Sequence, residues 1–145
     1  MNNLTRFKIV KPANEVFEAF VDPSKIKNFW FSSSSERWEQ GKKITLEYDL
    51  YNAVVEIKVV EIKGNEKIVF SWGTSEEEHV VTITLNEIEN SITIIEVNEE
   101  GFNENDDELI HKMLDNKEGW VFVLTCLKGY LESDIKTLRE GLVKG

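Results

Sequence analysis

Residues 43–62 read KITLEYDLYNAVVEIKVVEI, and the rest of the architecture can be worked out from this stretch. Ile44, Leu46, Tyr48 and Leu50 alternate with Lys43, Thr45, Glu47 and Asp49, a period of two that describes a strand with one wet face. Val55, Ile57 and Val59 repeat the pattern, but Val60 and Ile62 fall on the opposite parity. One extra residue near Val59 restores the phase, so a β-bulge is expected there. Downstream, Ile68, Phe70 and Trp72 alternate in the same way, then Val81, Ile83 and Leu85, then Ile95, Val97 and Glu99. The breaks fall at Tyr51-Asn52, Gly64-Asn65, Gly73-Thr74-Ser75 and Asn90-Ser91, short connections of the kind that join antiparallel neighbours. The expectation is an antiparallel meander from Lys43 to Glu99.

On the N-terminal side, Leu4 to Val10 reads as a short strand. Lys11-Pro12 opens a helix with proline in its first turn, where a missing N–H costs nothing. Ala13, Val16, Phe17 and Phe20 give that helix one apolar face. Asp22-Pro23 ends it and caps a second, shorter helix carrying Ile26, Phe29 and Trp30. The serine-rich stretch between Phe31 and Gly41 is read as a loop. On the C-terminal side, Asp115 and Glu118 resemble a capping box before a long helix from about Asn116 to Leu142. Trp120, Leu124, Leu127, Leu131, Ile135, Leu138 and Leu142 form one stripe at three- and four-residue steps. A sheet with one wet face must cover the other, and this helix is the long apolar element available to do so. Gly129 lies opposite Trp120 on the helical wheel, beside Phe122 and Cys126, so the first half of the helix is apolar nearly all round. Either the segment from Phe102 to Leu114 or a second chain must cover it, and the segment, with Leu109, Ile110, Met113 and Leu114, is the expected cover.

The chain has 145 residues, 41% hydrophobic and 30% charged, with a formal charge of −10. That length suits one domain, read as residues 1–145, without need of a disulfide or metal staple. The negative charge argues against a nucleic-acid or anionic-membrane partner, since both require a basic face. No apolar run approaches a membrane span, and the first residues lack the apolar core of a secretory signal, so the cytoplasm is expected. The single Cys126 agrees with a reducing compartment and, set among large apolar residues in the long helix, reads as an inert thiol. The acidic stretches Glu76-Glu77-Glu78 and Glu99 to Glu108 are read as solvated loops, because they lack the ligand spacing and central glycine of a calcium loop. His79 and His111 have no Cys or second His at ligand spacing, so no metal is expected. No serine sits in a nucleophile elbow and the glycines form no phosphate cradle, so no cofactor is expected either.

Five motifs in order carry a resemblance along almost the whole chain. They are Pro12-Ala13-Asn14-Glu15-Val16-Phe17-Glu18-Ala19-Phe20, Asn28-Phe29-Trp30-Phe31, Ile68-Val69-Phe70-Ser71-Trp72, Glu100-Gly101-Phe102, and Gly119-Trp120 through Lys128-Gly129-Tyr130-Leu131-Glu132. With the order strand, two short helices, meander and long helix, the chain resembles the START-like, or birch-pollen-allergen-like, superfamily. Within it, the chain is most similar to the activator of Hsp90 ATPase homologues. The resemblance implies an α+β helix-grip fold, a curved antiparallel sheet wrapped around the C-terminal helix. It also implies a cavity between sheet and helix, filled in relatives by lipids, aromatics or polyketide-like molecules. Some members are instead chaperone cofactors, and more distant relatives are cyclases. One departure is that relatives tend to carry histidine just before the Gly-Phe turn, at the position matched by Glu99.

Such a cavity would be walled by the aromatic residues Phe29, Trp30, Trp38, Tyr48, Phe70, Trp72 and Trp120, or these would simply fill the core. Leu46, Ile57, Val81, Ile83 and Leu124 share their faces and complete the candidate set. Glu99 has two readings. Strict alternation points it inward, where a carboxylate could act as an acid or a hydrogen-bond partner; a strand that frays before Gly101 leaves it in water. The leading expectation is a monomer or weak homodimer that binds a hydrophobic small molecule without covalent chemistry. A chaperone is the alternative partner, and a cyclase- or hydrolase-type enzyme with Glu99 or Tyr48 as acid is the third reading.

Overall fold

A computed structural model describes residues 1–143 of the chain. Seven strands form one antiparallel sheet: β1 (Asn2–Ile9), β2 (Ser33–Ser34), β3 (Lys43–Tyr48), β4 (Ala53–Lys63), β5 (Lys67–Gly73), β6 (Glu78–Glu89) and β7 (Ile92–Glu100). Their spatial order is β1-β7-β6-β5-β4-β3-β2, so the meander β3 to β7 is closed by β1 returning beside β7. Two short helices, α1 (Ala13–Val21) and α2 (Pro23–Ile26), follow β1, and a long helix, α3 (Leu109–Ser133), follows β7. This is the helix-grip arrangement, α+β. Among the described residues no helix is long and apolar enough to cross a membrane.

The expected meander is present, and its turns have physical causes. Asn52, Asn65 and Ser91, in the β3–β4, β4–β5 and β6–β7 connections, all adopt positive φ, which short polar side chains tolerate. The bulge lies where the parity changes: Val59 pairs with Phe70 and Glu61 with Val69, leaving Val60 exposed and Ile62 back on the inner face opposite Ile68. A second register shift, between Glu87 and Glu89, coincides with Ile88, which lies off the parity of Val81, Ile83 and Leu85 and is exposed. Leu50 leaves the alternation, because the chain turns through a 3₁₀ segment at Asp49–Tyr51 and exposes it. The serine-rich loop contains β2, whose Ser33 and Ser34 pair with Glu47 and Leu46. Around the first helices, Pro12 is the extended residue before α1 rather than part of its first turn, while Asp22 caps α2 by accepting from the Ser24 N–H at 2.9 Å. Helix α2 stops at Ile26; Phe29 and Trp30 follow it in hydrogen-bonded turns onto the Ile26 carbonyl.

The long helix differs from its expected bounds at both ends. It starts at Leu109, so Asp115 and Glu118 lie inside it, and Asp106 accepts the Glu108 N–H at 2.8 Å just before its first turn. Leu109, Ile110, Met113 and Leu114 therefore belong to α3 itself and do not fold over it; Ile110 and Leu114 are 76% and 65% exposed. The helix ends at Ser133 because Asp134 takes a left-handed conformation, φ 53°, and its N–H bonds back to the Tyr130 carbonyl. Ile135 and Leu138 keep helical spacing by coincidence and instead sit on a returning tail. There Leu138 covers Gly129, in space that a side chain at 129 would occupy. That tail supplies the cover for the Gly129 side of the helix. Its Arg139 is buried beneath Trp30 and Tyr48, donating from Nε to the Trp30 carbonyl at 2.9 Å and from Nη2 to Ser32 Oγ at 2.9 Å. The guanidinium lies 4.8 Å from the centre of the Tyr48 ring, a cation–π contact, and the Tyr48 hydroxyl donates to the Arg139 carbonyl.

Candidate functional site

The site forms where β5, β6 and β7 end beneath α3. Antiparallel register sets Trp72 opposite His79 and Val81 opposite Glu99. Alternation then turns Phe70 and Trp72, His79 and Val81, and Val97 and Glu99 to the same inner face. Gly101 follows with φ +112°, and a Cβ there would press on the Glu78 carbonyl and the His79 side chain. Glycine thus lets the chain leave β7 hard against His79, and Phe102 packs on that imidazole at a tilt of 53°, with 4.3 Å between ring centres. Helix α3 adds Trp120 from above.

Glu99 is the hub. Its side chain reaches inward and the residue is only 2% exposed, so of its two readings the inward one holds. The Trp120 indole N–H donates to Oε1 at 2.9 Å and the Trp72 indole N–H to Oε2 at 3.2 Å. His79 Nδ1 lies 2.6 Å from the same Oε2, and His79 Nε2 lies 2.8 Å from Glu77 Oε2. Indole nitrogens only donate, so each Glu99 oxygen accepts one indole N–H, and the His79 ring lies between the two glutamates with one nitrogen within hydrogen-bond distance of each. The hydrogen bond from His79 is the main cause holding the Glu77 carboxyl below the usual carboxylate range, with the Asn103 N–H and the Lys112 charge adding to it. A buried carboxylate is retained only when its oxygens are filled, and three donors from three different elements fill these.

Two clefts open beside this hub, and Trp72 walls both. The larger, about 620 Å³, is bounded by Trp72, the Gly73–Glu77 turn, His79, Asn103, Asp106 and Lys112, with Lys112 and Asp106 joined in an ion pair across it. The smaller, about 140 Å³, lies between Trp30, Trp72 and Trp120 and the α3 residues Asn116, Gly119 and Val123. The three indoles touch one another, with ring centres 5.2 Å apart for Trp30–Trp120, 6.0 Å for Trp72–Trp120 and 6.2 Å for Trp30–Trp72. Of the candidate residues, the structure gathers Trp30, Trp72, Glu99 and Trp120 here. Phe29, Trp38, Leu46, Ile57, Phe70, Val81, Ile83 and Leu124 sit deeper in the core, each 2% exposed or less. Tyr48 stands apart, under the tail with Arg139.

Residues 11–132 match the family described as activator of Hsp90 ATPase homolog 1-like protein. The chain belongs to that family. Among solved structures, the protein SSP2350 from Staphylococcus saprophyticus is 45% identical over 94% of this chain and 95% of its own, with a TM-score of 0.83. The Aha1 dimer from Colwellia psychrerythraea is 18% identical over 92% of this chain and 97% of its own, with a TM-score of 0.78. DynU16, a putative protein in the dynemicin biosynthetic locus, is 20% identical over 94% of this chain and 49% of its own, with a TM-score of 0.81. The last two are likenesses of fold. Among curated proteins none matches the chain.

In this family member, sequence reading overlooked His79, Glu77, Asn103 and Lys112. One signal was available for His79: positions 79, 81 and 83 share a parity, and the latter two are core. Nothing local marked the others, which reach the cleft from a turn, a loop and the first turn of α3. No group of three or more His, Cys, Asp or Glu side chains that could hold a metal occurs among the described residues. Cys126 is buried in α3, and burial pushes its thiol up to about 11. It is therefore expected to resist a thiol reagent such as dithionitrobenzoate at pH 8 in the folded protein and to react within minutes in denaturant. Rapid labelling of the native protein would contradict the burial described.

Proposed function

We propose that this protein binds a small apolar, aromatic molecule, without covalent chemistry, at the open end of the grip beside Trp30, Trp72 and Trp120. The observation that supports it is the half-buried Trp72, which walls both clefts while its N–H is pinned by Glu99. Flat apolar walls with a few fixed polar groups are what small-molecule sites are made of. An indole tethered in place also loses little freedom when a ring stacks on it.

The test is titration with the neutral fluorophore N-phenyl-1-naphthylamine, whose emission rises in an apolar site. Saturable single-site binding is expected, and Trp72→Ala should weaken it by about tenfold or more while the protein remains folded. Absence of saturable binding to the parent protein would end this reading. The alternative would then be a chaperone cofactor, which the family description and the exposed Ile110 and Leu114 on α3 support.

A further inference from the structure

Glu77 holds its carboxylate in an unusual setting for a residue in a β-turn. Its Oε2 faces His79 Nε2 at 2.8 Å, and its Oε1 accepts the Asn103 backbone N–H at 3.3 Å. Lys112 lines the same cleft and contributes its charge. His79 and Asn103 reach the carboxylate from β6 and from the loop after β7, while Lys112, ion-paired with Asp106, adds only its charge from α3. His79 and Lys112 are themselves held from behind. Glu99 fixes His79 Nδ1, and Phe102 packs at a tilt on the ring, so Nε2 stays aimed at the cleft. Lys112 is anchored by Asp106.

Apart from these carboxylate contacts, Glu77 is tethered through its own backbone. The Thr74 N–H donates to the Glu77 carbonyl at 3.1 Å and the Glu77 N–H to Thr74 Oγ1 at 3.1 Å. Gly73, at φ +112°, makes the close turn possible. None of these bonds uses the Glu77 carboxylate, so the side chain can rotate out while the turn keeps its shape. What remains is an imidazole nitrogen, a backbone N–H and the Asp106-paired Lys112 ammonium, facing a cleft of about 620 Å³ walled by Trp72. That set of groups suits an anion of carboxylate shape attached to a flat ring.

We infer that Glu77 stands in for the carboxylate of an external ligand, and that the cleft takes planar aromatic carboxylic acids whose anion displaces Glu77 from His79 and Asn103, beside the charge of Lys112. The inference rests on the proposal above that a small aromatic molecule binds against Trp72, and it names the chemistry of the occupant on the larger-cleft side of that indole. Glu77 then acts as a built-in competitor, lowering affinity by the fraction of time it holds the donors. A cationic aromatic ligand would depend on Glu77 in the opposite sense, because it would need that carboxylate as its partner.

The experiment is isothermal titration of the full chain with 2-naphthoate and with its neutral isostere 2-naphthamide. Glu77→Ala should tighten naphthoate by about tenfold or more, the worth of a charge-assisted hydrogen bond, and change naphthamide by less than about twofold. Glu77→Gln, which keeps the shape and removes the charge, should move naphthoate in the same direction. Adding Lys112→Gln to Glu77→Ala should take back much of the gain. If both ligands bind but Glu77→Ala weakens naphthoate, leaves it unchanged, or tightens the two equally, the inference falls and the cleft reading stands. If neither ligand binds the parent or any variant, both fall together.

Discussion

Replacing Glu99 with alanine is expected to cost about 3–5 kcal/mol of folding stability, read as a large fall in the urea midpoint with an unchanged slope. The carboxylate is almost fully buried, and removing it leaves the Trp72 and Trp120 indole N–H groups and His79 Nδ1 without their acceptor. An orphaned buried donor costs the desolvation it no longer recovers, and here three are orphaned by one substitution. Glu99→Gln keeps one carbonyl oxygen as acceptor but turns an NH₂ toward other donors, so about half that loss is expected. A change under about 1 kcal/mol for Glu99→Ala would mean that the three contacts are not made in solution.

Trp120→Ala is the second large effect, about 3–5 kcal/mol, the cost of emptying a packed aromatic position. Trp120 is 3% exposed, packs on Trp30 and Trp72 and donates to Glu99, so it behaves as core despite touching the smaller cleft. Trp72→Ala should cost clearly less, since Trp72 is only half-buried and part of its face already meets open space. The two tryptophans then separate stability from binding, with Trp120 dominating the midpoint and Trp72 the affinity for an aromatic probe. The Trp120→Ala and Glu99→Ala effects share a hydrogen bond, so the double variant should lose less than the sum of the singles. Equal midpoint losses for Trp72→Ala and Trp120→Ala would place both in a closed core and remove the support for a cleft.

The path from sequence to site differs from residue to residue. The inward aim of Glu99 was one of two readings available from alternation, and tertiary packing chose between them. The strand does not fray, because β1 covers β7 on its far side, with Asn2 paired to Glu100 and Asn3 to Glu99. Trp72 and Trp120 were both legible as inward, one from strand parity and one from the helix stripe. Their sharing of a carboxylate was not, since 27 and 21 residues separate them from Glu99. The C-terminal helix shows the opposite failure. Its stripe continued through Ile135 and Leu138 without a glycine or proline to stop it, and Asp134, a tolerated but uncommon left-handed residue, ended it unannounced.

By itself, then, the sequence determined the meander, its turns, the bulge at Val59–Glu61 and the identity of the covering helix. It could do so because a period of two with one wet face fixes which residues turn inward, and a one-residue slip would expose Ile44, Ile57, Phe70, Val81 and Ile95. Only the tertiary structure decided how the core is finished and where the site opens. The tail that returns over Gly129, the burial of Arg139 against Tyr48, and the meeting of Glu77, His79 and Glu99 join residues from separate elements. Such contacts are set by how sheet and helix pack in three dimensions, and hydrogen-bond partners chosen by packing leave no periodic trace along the chain.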